Sequence, residues 1–162
     1  VTGVQTCALP ICLFNLGVAL RGYVALGLFE ALATVSTFIF VLQRGGWTFG
    51  DTVAFSDPLY HQATTGSLAA IVVLQVVNVF LCRSTTRSVF DTGVRGNPLI
   101  LWGVALEIVL ILLFTYTRWG NALLGTAPLP FEVWLFLLPF ALLLIGLEEA
   151  RKAFVRRRCP SP

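Results

Sequence analysis

Four apolar stretches, each long enough to cross a bilayer as a helix, leave this sequence little freedom of fold. The most constraining is Gln62 to Leu81, QATTGSLAAIVVLQVVNVFL, which carries no charged side chain and ends abruptly in a basic, turn-rich segment up to Asn97. At about 1.5 Å per residue, roughly 20 residues match a hydrocarbon core of about 30 Å. Composition agrees: 57% of residues are hydrophobic, 12% are charged, and the mean hydropathy is +0.85. So few charges cannot clothe a soluble globule of this length. The expected fold is an all-α integral membrane bundle of four transmembrane helices, spanning about 22–42, 62–82, 98–117 and 131–147.

The connections support those limits. Leu13 to Leu20 is apolar but short and closes at Arg21, so it reads as a lead-in. Arg44, Gly45, Gly46 and Trp47 give the first span a stop and an interfacial aromatic. A polar connection then runs from Thr48 to Tyr60. The short loop Ser84 to Gly96 carries Arg87 and Arg95, and Asn97 before Pro98 is an N-cap with proline at the first helical position. Gly120 to Pro130 reads as a loop. Pro139 lies inside the fourth span, where a kink is expected. Beyond it, Glu148 precedes Arg151 and Lys152 by three and four residues, a favourable order on a continuing helix.

Basic residues orient the bundle. Arg21, Arg83, Arg87, Arg95, Arg151, Lys152, Arg156, Arg157 and Arg158 fall on one side, and only Arg44 and Arg118 on the other. The bias places both termini in the cytoplasm, with the basic C-terminal tail against anionic headgroups. The lipid bilayer is thus a partner, and no nucleic-acid surface is expected. Cys7, Cys12, Cys82 and Cys159 lack metal-knuckle or CxxC spacing and are read as free thiols.

The sequence contains no methionine, and no basic region precedes the first apolar run as in a secretory signal, which suggests a fragment. Val1 to Ile11, VTGVQTCALPI, resembles the in-frame translation of a sequencing adapter, so 1–12 is set apart as a non-native tail. Residues 13–158 form the membrane domain, and 159–162 a tail.

Polar chemistry inside the spans is sparse: Glu30, Gln75, Asn78 and Glu107. An ionisable group at mid-membrane depth costs about 2.5–3.5 kcal/mol on insertion scales, so it faces protein or a water-filled path and marks a partner or a pathway. Gln75 and Asn78 share a helix face, with Cys82 one turn on. The competing reading is interhelical hydrogen-bonding glue, which is preferred for the two amides and stands beside the pathway reading for the two glutamates. His61, at the outer end of the second span, reads as interfacial. With no histidine within the membrane to serve as a base, and no glycine-lysine phosphate loop, no catalytic residue, cofactor or self-contained active site is expected.

The run QVVNVFLCRSTTRSVFDTGVRGNPLILWG, followed by EIVLILLFTYT and GTAPLPFEVWLFLLPFALLLIGLEEARKAFVRR, resembles the C-terminal membrane region of P-type cation-transporting ATPases. It is similar to the seventh to tenth membrane helices of the branch with the sodium-potassium and calcium pumps. The resemblance implies that Glu107 matches a ninth-helix glutamate associated with a sodium site. It also implies that Gln75 and Asn78 match an eighth-helix pair, making the three a possible accessory metal-cation site. The chain departs from both pumps by having two neutral amides there, which leaves the ion unnamed. The resemblance further implies a parent in the plasma membrane that uses ATP and Mg, whose remaining membrane helices and cytoplasmic domains are this chain's partners, along with the transported cation. The family's phosphorylated loop and nucleotide domain are absent from this sequence. The competing reading is a complete four-helix membrane scaffold or binding protein with no enzymatic activity.

Overall fold

The structure, a computed structural model, describes residues 26–82 and 98–158, with side chains through Phe154. The expectations for Val1 to Ile11, Leu13 to Leu20, Ser84 to Gly96, the Asn97 cap, and residues 159–162 lie outside these residues. Five helices follow in order: α1 (Gly27–Arg44), α2 (Pro58–Leu81), α3 (Pro98–Tyr116), α4 (Arg118–Leu124) and α5 (Phe131–Arg158). There is no strand among the described residues. α1, α2, α3 and the first 24 residues of α5, to Phe154, are long and apolar enough to cross a membrane.

The core lies between α1, α2 and α5. α2 presents small side chains there: Ala63, Gly66, Ala69 and Ala70 are all buried. Small residues let helix backbones approach closely, which is how helices associate when lipid removes the usual hydrophobic drive. Gly66 lies where α1 and α5 both meet α2. A Cβ there would stand 3.1 Å from Val41 Cγ2 and 3.8 Å from Val133 Cγ1, so the groove admits α1 on one side and α5 on the other. Around it, Val41, Leu42, Leu129, Val133 and Leu137 close one cluster, and Ala33, Leu74, Leu81 and Leu144 close a second nearer the far end. α3 packs more loosely on α2. Only Ile111 and Thr115 of α3 are buried, and Leu99, Trp102, Leu106, Val109 and Leu113 point outward as a lipid-facing surface does.

α2 starts at Pro58, ahead of the expected Gln62. Asp57 explains the shift: its Oδ1 accepts the Leu59 N–H at 2.8 Å, and Pro58 occupies the first turn, so the cap stands ahead of the apolar run. The loop expected from Gly120 holds a second surprise, the short helix α4. Thr117 caps it by accepting the Gly120 N–H at 3.1 Å, and Gly125 ends it in the left-handed region at φ 64°. Gly120 is obligatory at this bend because a Cβ would collide with the Phe114 backbone. Two carbonyls in the last turn of α3 find side-chain partners. Thr117 Oγ1 donates to the Leu113 carbonyl at 2.7 Å, and Thr126 Oγ1 donates to that of Phe114.

α5 runs unbroken through Pro139 to Arg158, so the helix continues past the expected end of the span at Leu147 and carries Glu148, Arg151 and Lys152. Its buried stripe continues with it: Val133, Leu137, Ala141 and Leu144 are followed at helical spacing by Glu148 and Lys152.

Candidate functional site

Glu107 sits midway along α3 and lines an open groove of about 360 Å³ between α3 and α2. Leu68 and Val72 come from α2, and Gly103, Leu106, Leu110 and Ile111 from α3. The walls are apolar, so the carboxyl is the polar feature of the groove. It is half-buried. Glu107 therefore has the setting expected of an intramembrane carboxylate, directed between helices rather than plainly at lipid.

The amide pair is arranged differently. Gln75 is exposed, and Asn78 is half-buried and engaged with its own helix end, where its Oδ1 accepts the Cys82 thiol proton at 3.2 Å. The α2 side chains lining the Glu107 groove are Leu68 and Val72, two turns and one turn short of Gln75. Asn78 and Cys82 are thus in contact, and neither amide is among the residues that line the Glu107 groove. No group of three or more His, Cys, Asp or Glu side chains suited to a metal occurs among the described residues.

Glu30 lies in the first turn of α1 and lines a second groove, with Ala31, Thr34, and Ile71 of α2. Its Oε1 is enclosed and has no hydrogen-bond partner among the described residues.

Both ends of the bundle are tied by polar contacts. At the end where α2 begins, His61 Nδ1 lies 2.7 Å from the Gly125 carbonyl, Gln62 Nε2 donates to the Pro128 carbonyl at 2.8 Å, and the Ala127 N–H donates to Thr65 Oγ1 at 2.9 Å. Three successive side-chain contacts thus dock the α4–α5 connection onto the first turns of α2. His61 holds the backbone that follows α4. Trp134 Nε1 donates to the Tyr116 hydroxyl at 2.8 Å, which donates to the Leu129 carbonyl at 3.0 Å. Arg44 pairs with Glu132 at 3.0 Å across α1 and α5, with both side chains about half exposed. In the adjoining loop Asp51 accepts from the Thr48 hydroxyl at 2.6 Å and the Thr48 N–H at 2.8 Å. These bonds favour the carboxylate and hold its pKa below the usual aspartate value.

At the other end stands a contact that sequence reasoning missed. Lys152, with no exposed surface, donates from Nζ to the Leu81 carbonyl at 2.9 Å and lies 3.6 Å from Glu149. Leu81 is the last residue of α2, where backbone carbonyls lack helical partners and the helix dipole is negative, so a buried ammonium is stabilised there. Beside it Glu148 binds Arg151 through two bonds, at 2.7 and 2.9 Å. The signal was present in the sequence: extending the Val133, Leu137, Ala141, Leu144 stripe by one and two turns reaches Glu148 and Lys152.

Four apolar helices around a small-residue seam, with single carboxyl groups set into the grooves between them, define an integral membrane helical bundle with intramembrane carboxylates. The chain belongs to the family described as cation transporting ATPase, C-terminus, which it matches over residues 12–154. It is 23% identical over 160 residues to the sodium/potassium-transporting ATPase subunit alpha-4 of Rattus norvegicus, covering 84% of this chain and 16% of that protein. With the potassium-transporting ATPase alpha chain 1 of Xenopus laevis it shares 24% over 169 residues, covering 90% of this chain and 16% of the relative. A shorter stretch of 74 residues is 35% identical to the probable cation-transporting ATPase F of Mycobacterium tuberculosis, covering 46% of this chain and 8% of that one. The chain spans about 16% of the length of the first two relatives.

Proposed function

We propose that this chain is the C-terminal membrane-support and accessory ion-site module of a P-type ATPase that drives cations across a membrane. The observation that carries the reading is the family match over residues 12–154, with Glu107 set into a groove between two of the matched helices. In such a pump the catalytic work, with ATP and Mg, belongs to parts of the protein beyond this chain. The bundle described here would brace the moving ion-binding helices between inward-facing and outward-facing states. Glu107 is the ligand-bearing position. Gln75 and Asn78 contribute neutral oxygens only if other helices or a different state of the pump bring ion and amides together. Both termini are assigned to the cytoplasm and the protein to the plasma membrane, on the distribution of basic residues and the resemblance. Residues 1–11 take no part in this function, and comparing their codons with adapter sequence tests that exclusion.

The decisive experiment uses the full-length protein. Glu107→Gln should raise the cation concentration needed for half-maximal ATP hydrolysis by about tenfold, equivalent to about 1.4 kcal/mol. Unchanged cation dependence in the variant would reduce Glu107 to a packing residue, and cation-independent hydrolysis in the unmodified protein would sink the pump reading itself.

A further inference from the structure

Glu30 has surroundings that the accessory-site reading does not use. α1 and α2 run antiparallel, and Ile71 lines the Glu30 groove, so the carboxyl stands level with the middle of α2. At that depth an unpaired polar group finds no water to replace a protein partner. The obvious local donor is already committed. Thr34, one turn on and lining the same groove, gives its hydroxyl proton to the backbone carbonyl of Glu30 at 2.7 Å. The other groove residues, Gly27, Ala31, Val35 and Ile71, carry no side-chain donor, and Oε1 of Glu30 has no partner among the described residues. Gly27 and Ala31 are one turn apart and leave about 360 Å³ of open space beside the carboxyl. Small residues one turn apart admit a helix backbone at close range.

We propose that the Glu30 groove is the docking site of another membrane helix of the full-length chain, one that presents a hydrogen-bond donor to the Glu30 carboxyl at mid-membrane depth. The small residues fix how near that helix comes, and the carboxyl fixes its depth and rotation, because a donor one turn away cannot reach. The occupant is assigned to the same polypeptide because this chain spans 16% of relatives that it matches over most of its own length. The inference rests on the reading of the chain as part of a larger pump.

The test places an aliphatic diazirine amino acid at position 35, in place of Val35, in the full-length protein in native membranes, and identifies the photoproducts by mass spectrometry. A cross-link to a membrane helix of the same chain is expected. It should fall several-fold in yield with Glu30→Leu and persist with Glu30→Gln, which keeps an acceptor. Adducts confined to lipid, cross-links between two copies, or a yield indifferent to Glu30→Leu would each overturn the docking site. Cation-dependent ATP hydrolysis is measured on the same samples. A protein that hydrolyses ATP normally but labels only lipid loses the docking site and keeps the pump reading, and the converse result does the reverse.

Discussion

Lys152 is a charged side chain with no exposed surface, and its role follows from the atom it touches. Replacing it with methionine keeps the stem that fills the space but leaves the Leu81 carbonyl unpaired. The expected cost is about 1–3 kcal/mol, visible as a lowered unfolding temperature in detergent, and a variant as stable as the parent would remove the cap from the account. Gln75→Ala, by contrast, should leave the stability of this bundle within about 0.5 kcal/mol, because the side chain is exposed. Asp51 supplies a pH dependence. Its folded pKa is lowered, so its contribution to the loop is complete above the ordinary value of 3.8 and is lost as pH falls through the lowered one. Since Trp47 Nε1 donates to the Asp51 carbonyl at 2.9 Å, loosening of this loop should change Trp47 emission on acidification. Asp51→Asn should abolish that transition.

At the scale of elements, two glycines set the geometry. Gly66→Leu overfills the meeting point of α1, α2 and α5 and should cost about 1–3 kcal/mol, whereas Gly66→Ala asks its neighbours to give by only a few tenths of an ångström. Gly120→Ala has no such remedy, because it meets backbone at the α3–α4 bend, and it should destabilise the protein more than Gly66→Ala does. Comparing the melting temperatures of the three variants checks the ordering. The helices themselves were legible in the sequence, since length and apolarity decide what a bilayer accepts. α4 was not, because its signals are one threonine cap and two glycines in a segment rich in loop residues. The true start of α2 is written in Asp57-Pro58, four residues ahead of the apolar run that hydropathy alone picks out.

For the whole molecule, the fold was far more legible than the site. Periodicity reveals which side of α5 is buried, whereas the position of Glu107 relative to Gln75 and Asn78 depends on how two helices, α2 and α3, rotate and stagger against one another. That information lies in the α2–α3 packing around Leu68, Val72 and Ile111, not in any local motif. The assigned orientation can be measured directly. Cys82 is exposed at the end of α2, so a membrane-impermeant maleimide should label it from the cytoplasmic side alone, and labelling from outside would invert the bundle. The bond between Lys152 and Leu81 also bears on biosynthesis. Its partners are 71 positions apart, so at about 5–20 residues per second α2 waits roughly 4–14 s, through the synthesis of α3 and α4, for the residue that seals its end. During that interval the carbonyl at the end of α2 lacks the ammonium that caps it in the finished bundle.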